Sequence, residues 1–214
     1  MRHTTFLVFV SAAALFPAAA GAEIVDRIAV TVGRQVITES AVVEEIRVTA
    51  FLAATAPDWS DANRTRTANR LVDQLLIKRE LDATRFPPVP DDDTNKVFDQ
   101  LKAATPDFSH TLGAAHLTEI ILKEHLQWQV TFLRFVDYRF RPGIQITESD
   151  LRDFYETQAV EWRQQNKTVP TFEKARQDLE RLLSSKYVDQ ALDRWLGDQR
   201  TQTQIVLKRS MKQP

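Results

Sequence analysis

Apolar residues recur at two spacings along this chain: every second residue close to its two ends, and every three to four residues over most of the stretch between. The first alternating stretch runs Ile24-Val25-Asp26-Arg27-Ile28-Ala29-Val30-Thr31-Val32, with Ile28, Val30 and Val32 on one face and Arg27, Ala29 and Thr31 on the other. That is the pattern of a strand. Gly33-Arg34 suits a two-residue hairpin turn with glycine in the left-handed position, and Gln35-Val36-Ile37 returns as a short partner strand. The second alternating stretch, Thr203 to Lys208, puts Ile205 and Leu207 on one face. Isolated strands are marginal in water, so these two stretches are expected to pair and close one mainly α domain.

Helices are predicted between them. Thr38 is placed to cap a helix through about Leu52 that buries Val42, Val43, Ile46 and Ala50, and Ala56-Pro57-Asp58-Trp59 ends it. A longer helix follows from about Asp61 to Thr84, with Ala68, Leu71, Val72, Leu75 and Leu76 spaced for burial. Pro87-Pro88-Val89-Pro90 is a stiff extended connector. Asp91-Asp92-Asp93 supplies capping and negative charge to a helix through Ala104. A calcium loop there would need Asp-x-Asp-x-Asp-Gly spacing and a later bidentate glutamate, and the sequence has neither. His116 to Phe140 contains no Gly or Pro and forms one long helix or two short ones, stopped by Arg141-Pro142-Gly143. Thr147-Glu148-Ser149-Asp150 has capping-box spacing and opens a helix to about Trp162. Pro170-Thr171 opens the last helix, about Phe172 to Gln199, apolar at Phe172, Ala175, Leu179, Leu182, Leu183, Ala191, Leu192 and Trp195.

The first residues add a destination. Arg2 and His3 precede an apolar run from Phe6 to Phe16, and Ala20-Gly21-Ala22 fits the small-x-small pattern of a cleavage site. The run is shorter than the roughly 20 residues a membrane span needs. The expectation is a cleavable signal peptide over residues 1–22, cut after Ala22, and a periplasmic mature chain over residues 23–214 with no membrane insertion; an uncleaved interfacial anchor is the alternative.

Composition and motifs then narrow the chemistry. With Cys 0, disulfides, thiol catalysis and thiolate metal sites are excluded. Lys+Arg 28 against Asp+Glu 29 leaves no basic stripe for a nucleic acid, so none is expected as a partner. The sequence has no Gly-x-Ser-x-Gly elbow, Walker loop, Gly-x-Gly-x-x-Gly or His-Glu-x-x-His, and the spacing of His110, His116 and His125 puts no two on one helical face at i, i+4. Glu44 and Glu45 read as residues of a solvated helix face. No enzyme, metal or cofactor is expected.

Four segments together resemble the SurA-type periplasmic chaperones and the related PrsA-like foldases. They are Ile24 to Val32 continuing through Val36-Ile37-Thr38-Glu39-Ser40; Leu71-Val72-Asp73-Gln74-Leu75-Leu76-Ile77; Ile146 to Glu156; and Pro170-Thr171-Phe172-Glu173-Lys174-Ala175-Arg176 running on to Trp195-Leu196. The resemblance covers nearly all of the mature chain and rests on patterns of residue type. It implies a multi-helix core like the N-terminal domain of SurA, with a small sheet made by the N-terminal hairpin and the C-terminal strand. In that family a parvulin-type prolyl isomerase stands between the third and fourth segments. Here only Thr157 to Val169 remains, with no histidine, against the roughly 50 residues a domain needs. The isomerase is expected to be missing.

What the resemblance implies is an ATP-independent chaperone for unfolded or partly folded exported polypeptides, typically outer-membrane barrel precursors. Trp59, Trp128, Phe132, Phe135 and Tyr138 are the candidates for the client surface, and the competing reading packs each of them in the core. The alternative function is a dedicated partner-binding or structural subunit of an envelope complex. A homodimer formed by exchanging terminal strands is compatible with the same pattern.

Overall fold

The structure, a computed structural model, describes residues 26–208. The expected signal peptide lies outside them. The described residues hold seven α-helices, a single 3-10 turn at Arg141–Gly143 and one three-stranded antiparallel sheet, so the fold is mainly α. β1 (Ile28–Val32) and β2 (Gln35–Thr38) form the hairpin, with Val32 opposite Gln35. Gly33 makes the turn at φ +57°, where a β-carbon would come 3.3 Å from the Arg79 guanidinium. Arg79 closes the turn from outside, its Nε donating to Gln35 Oε1 at 2.7 Å and its Nη2 to the Val32 carbonyl. β3 (Ile205–Leu207) pairs with the other side of β1, giving the order β2-β1-β3. The two alternating stretches are therefore neighbours in one sheet, as pairing of otherwise lone strands requires.

One position breaks the expected alternation. Ile28 lies opposite Thr38 and Val30 opposite Ile37, so Ala29 is the extra residue of a bulge. The bulge turns the preceding residue over: Ala29 is fully buried and Ile28 is exposed, so Ile28 does not share the face of Val30 and Val32.

α1 (Glu39–Leu52) and α2 (Asp61–Thr84) cover the inner face of the sheet. Thr38 caps the first by accepting from the Ala41 amide at 3.3 Å, and Ser60 caps the second by accepting from Asn63 at 3.2 Å. Val30, Val32, Ile37, Val42, Ile46, Ala68, Val72 and Leu76 form this first core. α3 (Asp91–Ala104), α4 (Phe108–Ala114) and α5 (Glu119–Phe140) build a second core around Val48 of α1, with Phe98, Phe108, Leu112, Leu122 and Leu126.

Two expectations change in this region. Asp91, Asp92 and Asp93 occupy the first turn of α3 but make no side-chain cap, because Pro90 holds the capping position; their contribution is charge against the helix dipole. His116 to Thr118 stay outside α5, whose cap is Thr118, and α4 is a short helix that sequence periodicity did not suggest.

α6 (Glu148–Gln164) starts with the expected capping box between Thr147 and Asp150, and α7 (Phe172–Gln202) packs against it through Leu151, Ala175, Leu179 and Leu183. Leu182 lies off that stripe and is 53% exposed. Glu148 holds the pair together from the surface, 2.6 Å from Arg176 and 2.9 Å from Arg152, and these cations keep its carboxyl below the usual glutamate range. The far half of α7 reaches α5 and α2 in a third core of Ile77, Phe135, Val136 and Val188. There Arg200 donates to Asp73 Oδ1 at 2.7 Å and to the Asn69 carbonyl at 2.9 Å, which fixes the end of α7 on α2 just before β3 begins.

Four helices end alike. After α1, the Thr55 amide donates to Ala50 and the Ala54 amide to Phe51; the same paired bonds follow α2, α4 and α6. This closure sets one residue past the helix in the left-handed region, usually a glycine. Here the residues are Ala54 (φ 50°), Arg85 (52°), His116 (55°) and Asn166 (54°), in a chain with Gly 5. That conformation costs an alanine about 1 kcal/mol, part of which glycine returns as chain entropy. Ala54→Gly is therefore expected to stabilise the protein by about 0.5 kcal/mol. Urea unfolding should show a higher midpoint at unchanged slope, and a lower midpoint would contradict the strain at Ala54.

Candidate functional site

α1, α3 and α4 all end around one groove, with a volume of about 1040 Å³. The last turns of α1 supply Arg47, Phe51 and Leu52 to one wall. The loop into α2 adds Ala54, Pro57 and Trp59, and Leu101, Ala104, Pro106, Ala115 and His116 stand opposite.

The walls are set by packing behind them. Phe51 meets Phe108 edge-on at 6.2 Å, and Phe108 in turn meets Phe98 at 5.7 Å, so the α1 wall is anchored in the second core. Trp59 is held from the first core. Arg64, only 1% exposed, donates from Nε to the Trp59 carbonyl at 3.2 Å and lies 5.8 Å from its ring, while Arg47 lies 6.0 Å from the same ring.

Carbonyls at the helix ends are already engaged. Ala50 and Phe51 accept from the closing amides of α1, and Leu112 and Gly113 from those of α4. Thr105 Oγ1 donates to Leu101 at 2.8 Å, and Thr111 Oγ1 to Pro106 at 3.0 Å. The groove thus presents mainly apolar side chains. No carboxylate lines it, and its titratable side chains are Arg47 and His116.

The structure scatters the five sequence-derived candidates. Trp59 lies on the groove wall, half-buried. Trp128 and Phe132 are half-buried against the third core, their rings 6.1 Å apart and Lys78 Nζ 5.1 Å from the Trp128 ring. Phe135 is 1% exposed, enclosed by Phe86, Phe140 and Trp195 at 6.0 Å each, so it belongs to the core and offers no surface to a client. Tyr138 is 73% exposed, with an edge contact to Phe86. Trp59 stands apart from the four on α5. The remaining wall residues, Phe51, Leu52, Leu101, Pro57 and Pro106, were not singled out from sequence. Their sequence signal is slight: apolar side chains in the last turns of two helices, each followed within a few residues by a proline.

A second polar feature lies deeper. Glu45 is 8% exposed and does not belong to a solvated face: its Oε2 is 3.3 Å from His125 Nδ1, and its Oε1 is 4.0 Å from Arg70. Gln129 Nε2 is 3.1 Å from His125 Nε2. Burial, followed by repulsion from Glu124 and Glu45, pushes the carboxyl of neighbouring Glu44 up. Among the described residues no three His, Asp or Glu side chains converge as a metal site, and no helix is long and apolar enough to cross a membrane.

No protein-family model matches this sequence, and no curated protein matches it.

Proposed function

We propose that this chain is a chaperone core of the SurA and PrsA type that holds unfolded stretches of exported polypeptides, outer-membrane barrel precursors among them, in the groove where α1, α3 and α4 end. The observation that carries the reading is the groove itself, whose walls are Phe51, Leu52, Trp59, Leu101 and two prolines. An unfolded segment laid there buries apolar surface at about 25 cal/mol per Å², and the same segment offers nothing once its owner has folded. Preference for the unfolded client follows, and release needs no nucleotide.

Two further observations support the family part of the proposal. The hairpin, the helices and the last helix with its strand close on one sheet in the order the resemblance implies. Residues 165–171 alone separate α6 from α7, where an isomerase unit would need on the order of 50 residues. The protein then acts in the periplasm after removal of residues 1–22, binding clients without isomerising their prolyl bonds.

The test is light scattering from a denatured outer-membrane barrel protein diluted into buffer, with prolyl isomerisation of a peptide followed in parallel. Suppressed scattering without isomerase activity is expected. Undiminished scattering at several-fold molar excess would refute the chaperone reading.

A further inference from the structure

We infer that the groove receives polypeptide C-termini, the free α-carboxylate meeting the Arg47 guanidinium while the last apolar side chains fill the space between Phe51 and Leu101. This rests on the groove being the client site. The observation behind it is a wall arginine whose charge meets no carboxylate within the groove. Arg47 is half-buried on the wall, and its ring contact with Trp59 is accompanied by no hydrogen bond or ion pair among the described residues. The other arginines nearby are partnered: Arg64 with the Trp59 carbonyl, Arg66 with Asp58 at 3.9 Å, Arg70 with Glu45, and Arg79 with Gln35.

No carboxylate inside the groove pairs with Arg47. Its lining has no carboxylate, and the carbonyls of Ala50, Phe51, Leu101, Pro106, Leu112 and Gly113 already accept from amides or threonine hydroxyls. Glu44, one turn back on α1, is influenced more by burial, Glu124 and Glu45 than by Arg47. The helix C-termini around the groove disfavour an anion, but each carries only a partial charge that solvent screens, whereas Arg47 carries a full one. A half-desolvated guanidinium gains most from an acceptor that arrives charged and can take two N–H bonds. One arginine in a mostly apolar lining that also holds His116 and three threonines calls for one anion on a mostly apolar segment. A polypeptide that ends in apolar residues carries that combination at its C-terminus, whereas an internal acidic residue would bring its charge into the middle of the apolar run.

The test is fluorescence anisotropy of a labelled eight-residue peptide, leucine and phenylalanine alternating with serine, made as free acid and as C-terminal amide. The free acid is expected to bind about tenfold tighter than the amide. Arg47→Gln should erase the difference and Arg47→Lys should keep part of it, both variants having an unchanged thermal melt. A third peptide, amidated but with one internal serine changed to aspartate, should bind like the plain amide. Equal affinity of acid and amide for the wild-type protein would overturn the inference and leave the groove reading standing. So would a preference that survives Arg47→Gln, or an internal aspartate as effective as the free end. Failure of every peptide to bind would overturn the groove reading, and the inference with it.

Discussion

Phe135→Ala is expected to cost about 4 kcal/mol of stability, while Tyr138→Ala, on the same helix, costs less than about 0.5 kcal/mol. Both are aromatic residues of α5, but α5 packs only part of its circumference. Phe135 points into the third core, with ring contacts to Phe86, Phe140 and Trp195, and joins Ile77, Val136 and Val188 there. Removing it leaves a cavity that three aromatic neighbours, fixed on α5, α7 and the connector after α2, cannot collapse to fill. Tyr138 exposes most of its ring and loses one edge contact. Urea denaturation of the two variants measures the contrast. Similar losses for both would mean that α5 is rotated from the orientation described here.

Arg64→Ala is the second large effect, with an expected loss of about 3 kcal/mol. Arg64 lies in the first turn of α2, where the helix dipole disfavours a cation, and it is almost fully buried. A buried guanidinium depends on its contacts, and among them it holds Trp59 by carbonyl and ring. Alanine removes these contacts with Trp59 and leaves a hole beside the groove. Arg64→Met should cost only about 1 kcal/mol, because it keeps the volume and sheds a buried charge. Equal losses for Ala and Met would mean that charge, not packing, is the main role of Arg64. Trp59 fluorescence reports the local consequence, shifting to the red in Arg64→Ala as the wall loosens.

Most of the fold was legible because its signals are local. Thr38 and Thr147 cap where their spacing to the next apolar run requires, Gly33 turns where only one left-handed residue is needed, and Ile205 to Leu207 is too short to stand alone. Misreadings came where tertiary structure overrides periodicity. The bulge at Ala29 exposes Ile28, and Glu45 is drawn inside by His125 and Arg70, which lie 80 and 25 positions further along the chain. The groove was the least legible feature. It is made by the ends of three helices, and no periodic pattern marks where a helix end will face another. Of the five aromatics picked from sequence, Trp59 alone reached it, and a proline-bounded loop was the sign that it stood outside the helical stripes.

The central claim is that clients enter this groove and not another face. A photo-crosslinking phenylalanine analogue placed in turn at Thr55, Ala104, Tyr138 and Val206, with an unfolded outer-membrane barrel protein added, tests it directly. Crosslinks concentrated at Thr55 and Ala104, with little at the exposed positions on α5 and the sheet, are the predicted result. Crosslinks at Tyr138 or Val206 with none at Thr55 and Ala104 would contradict it.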